Sequence, residues 1–264
     1  MLRSVFGKTL WGQRQGIVAW SIGLGAVGVL YAAFYPSMAN PDMQAAMDAF
    51  PPEMLDALGF TDITSPEGYL GGTTYGLLGP VLSIIYATTL GSRAIAGEEE
   101  SGRLELLLAH PVERWQVVLQ RSAAMLVALV IAGAVLLLAM IAAAGPAQYD
   151  SIPTANLAAA TVQLVLLAWL FGSLALAVGA LSGSRGLAIG MVALVGVATY
   201  FANTLGPSVD ALAWSRDVSP FHYYSGGAPL REGWPALDAA VLAACSLVLT
   251  AVAVLGLERR DVGV

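Results

Sequence analysis

GEEESGRLELLLAHPV, residues 97–112, is the one strongly charged segment lying between two hydrophobic runs long enough to cross a bilayer. Those runs cover about residues 71–92 and 121–144, and four more occupy about 16–36, 157–181, 186–205 and 236–257. Runs of about 20 apolar residues match the roughly 30 Å hydrocarbon layer at 1.5 Å per residue. Six of them predict an all-α integral membrane protein with six transmembrane helices. Composition agrees: 57% of the 264 residues are hydrophobic and 11% are charged. The mean hydropathy of +0.72 lies well outside the range of soluble domains.

The net charge of −6 becomes informative once it is sorted by side. Six spans put both termini in one compartment. The segments of that compartment carry Arg3, Lys8, Arg14, Arg93, Arg103, Arg114, Arg121, Arg185, Arg259 and Arg260, whereas the other side has only Arg216 and Arg231. The positive-inside rule therefore predicts cytoplasmic N and C termini. Asp42, Asp48, Glu53, Asp56, Asp62 and Glu67 all fall in the first outer loop. Polar Gly12 to Gln15 precedes a run too long for a cleavable signal, so the first span is expected to be its own insertion signal.

Within residues 1–15, Leu2, Val5, Phe6, Leu10 and Trp11 recur among Arg3, Lys8 and Arg14. This spacing reads as an amphipathic helix lying along the interface, or as a plain anchor. Prolines break the outer loop 37–70, where Met43 to Phe50 and Glu53 to Leu58 read as short helices with an acidic face. The second outer loop, 206–235, surrounds Ser219-Pro220-Phe221-His222-Tyr223-Tyr224, whose aromatic rings suit a membrane interface. No internal repeat is visible, and residues 1–264 read as a single membrane domain.

Little other chemistry is present. Gly7-Lys8-Thr9 imitates the end of a P-loop, but position 2 is leucine and no strand precedes it, so no nucleotide site follows. The span interiors contain no Asp, Glu, Lys, Arg or His, leaving no carrier for proton or cation coupling. Gln163 and Asn203 are the strongest polar groups, of the kind that glue helices together. His110 and His222 lie on opposite sides and cannot share a metal, so no metal site is expected. Polar loop groups such as His222 with Asp217 or Glu232 could be drawn together for hydrolytic chemistry, and a plain interface histidine is the simpler reading. Cys245, the sole cysteine, reads as a small packing residue. Gly186-x-x-x-Gly190 and Gly71-Gly72 have the form of close packing faces.

The segment from Arg93 to Arg121 remains. Leu104, Leu107 and Leu108 share one helical face, with Arg103 and Glu105 beside them, and Pro111 then breaks the helix. Glu98, Glu99 and Glu100 would stand at the start of this helix, where carboxylates suit the dipole. The bland alternative is a solvated hairpin; the sharper one is a docking element that transmits movement from a cytoplasmic partner.

Glu98-Glu99-Glu100-Ser101-Gly102-Arg103-Leu104-Glu105-Leu106-Leu107, followed by Pro111-Val112-Glu113-Arg114, resembles the cytoplasmic signature of type-2 ABC exporter permeases. That signature reads roughly Glu-x-Glu-x-Gly-Thr-Leu-Glu, then Pro-Val-Ser-Arg, then Gly-Lys. This chain departs from it at Arg103 for Thr, Glu113 for Ser and Gln120-Arg121 for Gly-Lys.

The resemblance implies a multi-pass permease of a prokaryotic plasma membrane, with an N-terminal interfacial helix and a separate cytoplasmic ABC ATPase subunit that holds ATP and Mg. A second copy or a sister permease would complete the complex among membrane lipid, with no nucleic acid as partner. It implies coupling through Glu98, Glu99, Glu100, Gly102, Leu104, Glu105, Leu107, Leu108, Pro111 and Arg114. The second and fifth spans would face the cargo path with Tyr75, Tyr86, Thr88, Thr89, Met191, Tyr200, Phe201 and Asn203, a lining suited to a drug, an antibiotic or a lipid moved outward. No catalytic residue is expected in the chain. The rival readings are a membrane enzyme acting on lipid head groups and an ion-coupled secondary transporter.

Overall fold

The structure, a computed structural model, describes residues 4–40, 45, 62, 64–104, 112–205 and 214–260. Among them, six helical segments are long and apolar enough to cross a membrane. Backbone N–H and C=O groups have no water to bond in hydrocarbon, so each segment satisfies them internally as helix. The main helices are α1 (Val5–Ala32), α2 (Gly79–Ser92), α3 (Arg114–Ala143), α4 (Thr154–Ser182), α5 (Arg185–Leu205) and α6 (Ala236–Arg259).

Residues 5–15 are helical, as their spacing predicts. They run without a break into the first span, capped by Ser4 Oγ, which accepts from the Gly7 N–H at 3.2 Å. Helical propagation costs less than a new nucleus, and no proline or glycine pair interrupts this stretch. Gly7, Lys8 and Thr9 therefore lie in helix, the wrong conformation for cradling phosphate.

The second span is longer and less regular than expected. It covers Pro66–Glu100 and contains two π turns, Thr74–Leu78 and Arg93–Gly97, on either side of α2. Pro80 lacks an N–H and its ring crowds the carbonyl one turn earlier; the first π turn, where the helix widens, falls there. The short helices expected at 43–50 and 53–58 lie outside the described residues.

α4 is the axle of the bundle. Of its most apolar stretch 72% is buried, against 11% for α5, and it packs against α2, α3, α5 and α6. Close approach of α2 and α4 is set by Gly91 and Gly172: a Cβ on Gly91 would collide with the Gly172 carbonyl oxygen. The glycines that carry the sequence motif do otherwise. Among the described residues a Cβ at Gly190 meets nothing within 4 Å and one at Gly186 only Ser184 Oγ at 3.8 Å, so the two glycines set no close helix contact there. Cys245 also departs from expectation, lying exposed on α6 instead of packed.

The second outer loop is folded inward. Phe221 and Tyr224 are buried, not interfacial. Phe221 sits against Phe171 and Tyr200 at ring separations of 5.9 and 5.5 Å. Asn156 Nδ2 holds the Leu230 and Arg231 carbonyls at 3.0 and 3.1 Å. Hydrophobic burial of two rings outweighs their preference for an interface once α4 and α5 offer a site for them.

Candidate functional site

The ends of α2, α4 and α6 and the starts of α1, α3 and α5 gather at the end of the bundle that carries both termini. The Phe6 N–H, one of the orphan donors of α1, is received by Gln120 Oε1 at 3.0 Å. Arg114 Nη1 donates to the carbonyls of Leu257 and Arg260 at 3.0 and 2.6 Å, fastening α3 to the end of α6.

Glu98, Glu99 and Glu100 stand at this junction, but at the end of the second span's helical run and not at the start of a new helix. The expected dipole benefit is thus reversed, since carboxylates are disfavoured at a helix C-terminus. Neighbouring positive groups offset this. Glu98 faces Arg103 at 3.3 Å and Arg121 at 3.6 Å. Glu99 pairs with Arg260. Glu100 Oε1 accepts from the Arg185 backbone N–H at 2.8 Å, capping α5. The run then ends at Gly102, whose φ of +68° suits glycine and whose N–H bonds the Glu99 carbonyl at 2.8 Å.

The three carboxylates are therefore engaged within the chain. Leu104 is also internal, fully buried with Ile95, Val117, Leu176 and Leu257, so it has no surface to offer a partner. Arg114, expected in the same segment, opens α3 as its first residue. Glu105, Leu107, Leu108 and Pro111 lie outside the described residues.

Sequence reasoning missed Arg121 and Arg260. Arg121, two turns inside α3, is 8% exposed, and its Nη1 also donates to the Ala94 carbonyl. The signal was present in the departures from the family signature. Arg103 and Arg121 both serve Glu98, Gln120 caps α1, and Glu113 receives the Trp115 indole N–H.

Between α2 and α5 lies an open-sided groove of about 370 Å³. Pro80, Val81, Ile84, Ile85, Thr88 and Thr89 form one wall, and Ile189, Val192, Ala193, Gly196, Val197, Tyr200 and Phe201 the other, with Phe221 at one end. The Thr88 and Thr89 hydroxyls donate to their own helix, to the Ile84 and Ile85 carbonyls at 2.6 and 2.9 Å. No charged side chain among the described residues lines the groove. Apolar contact and ring faces are what it offers a ligand.

Thr88, Thr89, Tyr200 and Phe201 are brought together there, while the other four expected lining residues are not. Tyr75 is turned inward, its hydroxyl 3.0 Å from Thr161 Oγ1. Tyr86 stacks on Trp20 at 5.2 Å, on the far side of α2. Met191 is 40% exposed outside the groove, and Asn203 is half-buried beyond its lining. A 100° step per residue lets only part of any helix face one neighbour. No hydrogen bond or ion pair joins His222 to Asp217 or Glu232 among the described residues, and His222 Nδ1 is buried without a partner there. No cluster of three metal-binding side chains occurs among the described residues.

Six membrane-length helices, one of them the buried axle, make a multi-pass helical membrane protein with an uncharged, ligand-sized groove open along its side. The chain belongs to the family described as "Multidrug efflux system permease Rv1217c, C-terminal domain", which it matches over residues 2–258. This agrees with the resemblance to type-2 ABC exporter permeases and points to a transporter rather than an enzyme. The chain matches no curated protein.

Proposed function

We propose that the chain is the membrane subunit of an ATP-driven exporter in a prokaryotic plasma membrane, working with a separate cytoplasmic ABC ATPase that binds ATP and Mg. The charge split of ten cationic residues against two supports cytoplasmic termini, which puts the Glu98–Glu100 junction on the side where such a partner works. The observation that carries the reading is the groove: uncharged, about 370 Å³, and walled by the two spans that meet at that junction. It suits an amphipathic or lipidic cargo held by burial of apolar surface, without ion coupling.

α5 exposes Leu187, Leu194, Val197 and Phe201. A second copy, or a sister permease, would cover this face and enclose the path from its other side. Movement of the ATPase would reach the groove through Arg114 and the stretch containing Glu105, Leu107, Leu108 and Pro111.

The test is ATP-dependent, vanadate-sensitive uptake of Hoechst 33342 into inverted vesicles containing the chain and its ATPase partner. Uptake above vesicles lacking the chain is the expected result. Uptake by the chain alone without nucleotide, or specific labelling of the purified chain by an azido-ATP analogue, would overturn the reading.

A further inference from the structure

Successive residues on a helix point about 100° apart. Glu98, Glu99 and Glu100 therefore reach three different neighbours: α3 through Arg121, the end of α6 through Arg260, and the start of α5 through the Arg185 N–H. We propose that this turn is an intramolecular clamp in which Arg121, Arg260 and the Arg185 amide are positioning groups for transport, and that its Glu100 arm is the latch of the groove.

The arms are unequal. Glu98 has two guanidinium partners, one of them the buried Arg121. Glu99 and Arg260 are each about four-fifths shielded, with side-chain exposures of 23% and 22%. Arg260 is further pinned over the turn between α4 and α5, where Gly183 has φ +68° and a Cβ would strike the guanidinium. Its backbone carbonyl is held by Arg114. Among the described residues Glu100 has one exposed hydrogen bond, to a backbone N–H. Charge-assisted bonds to shielded guanidinium groups outlast a single bond that water competes for. The weak arm is also the one that joins the second span to α5, the two walls of the groove.

Opening the groove at this end therefore requires the Glu100 arm to part, while the Glu98 and Glu99 arms keep α3 and α6 moving with the second span. The clamp stands on these contacts alone; only its consequence for transport rests on the efflux reading.

Spin-label distances test it in the full chain in lipid nanodiscs, in a Cys245→Ser background. One label pair, at Ser101 and Leu187, spans the Glu100 arm, and a second, at Ser101 and Glu258, spans the Glu99 arm; all three sites are exposed. Glu100→Ala should lengthen the first distance and leave the second unchanged. Glu100→Gln, which keeps an acceptor oxygen, should restore the first. Glu99→Ala should lengthen the second alone, and the exchange Glu99→Arg with Arg260→Glu should restore it.

An unchanged first distance in Glu100→Ala would overturn the proposal, and so would equal broadening of both pairs by either variant, the mark of general loosening. If the distances respond as expected but wild-type vesicles show no ATP-dependent uptake, the clamp stands and the efflux reading fails. If uptake is normal while the distances do not respond, the reverse holds.

Discussion

The hydroxyl of Tyr224 donates to the backbone carbonyl oxygen of Tyr75 at 2.5 Å, across 149 positions of sequence. It ties the short helix Pro220–Ser225 to the π turn Thr74–Leu78, at the end of the bundle opposite the termini. Tyr75 extends the link through its own hydroxyl to Thr161 on α4. The inward fold of the second outer loop depends on this bond as well as on ring burial.

Tyr224→Phe should leave the Tyr75 carbonyl buried without this partner, at a cost of about 1–3 kcal/mol. Burial pushes the Tyr224 phenol well above its ordinary value of 10.0. Below that pH both folded and unfolded forms keep the proton, so its contribution is constant. Above it the unfolded chain ionises first and stability falls. Thermal unfolding in detergent from pH 7 to 11 should show the alkaline loss in the wild type and less of it in Tyr224→Phe.

Removing Arg121 strands Glu98 beside the exposed Arg103 alone and frees the Ala94 carbonyl. Breaking a largely buried ion pair from one side costs about 3–5 kcal/mol, so Arg121→Ala should lower the thermal midpoint clearly. Arg103→Ala, whose side chain is 65% exposed, should cost under about 1 kcal/mol. Similar losses in the two variants would contradict this ranking.

Gly91→Ala places a methyl group against the Gly172 carbonyl and 3.0 Å from Ala175 Cβ. Such overpacking costs about 1–3 kcal/mol or more, and the yield of folded protein should drop. A Cβ at Gly190 meets nothing within 4 Å among the described residues, and Gly190→Leu should leave folding intact. If a second copy covers α5, Gly190→Leu should instead reduce inter-chain cross-linking by cysteines placed along α5, read on a denaturing gel in the Cys245→Ser background.

Gly196 lines the groove, and a Cβ there meets only Phe171 at an ordinary 3.7 Å. Gly196→Leu should therefore fill the groove without disturbing α4. Loss of about 1.4 kcal/mol of cargo binding corresponds to about tenfold in affinity, and Hoechst 33342 uptake at limiting dye should fall to that extent with unchanged membrane levels. Full uptake would move the cargo path elsewhere.

Leu107→Asp tests the coupling role of the segment beyond Leu104. Insertion should be normal, while ATPase co-purification and dye-stimulated hydrolysis should fall together. Glu105→Ala should do the same more weakly, because a contact's apolar anchors outweigh exposed charges. Near-normal transport in both would restore the plain solvated hairpin.

Hydropathy alone determined the six helices, because an apolar run of this length has one way to satisfy its backbone in hydrocarbon. The acidic turn and its family signature were legible too, since Glu98 to Gly102 stand out against apolar flanks. Which way those carboxylates point was not. Arg121, Arg260 and the Arg185 amide lie 23, 161 and 85 positions from their respective partners, and only packing of α3, α5 and α6 around α4 brings them together. The same holds for the groove. Tyr86 and Thr88 are two residues apart, yet one stacks on Trp20 and the other lines the cavity. In a helix that is apolar all round, periodicity does not mark a face; the neighbouring helices decide which side is core and which lines the groove.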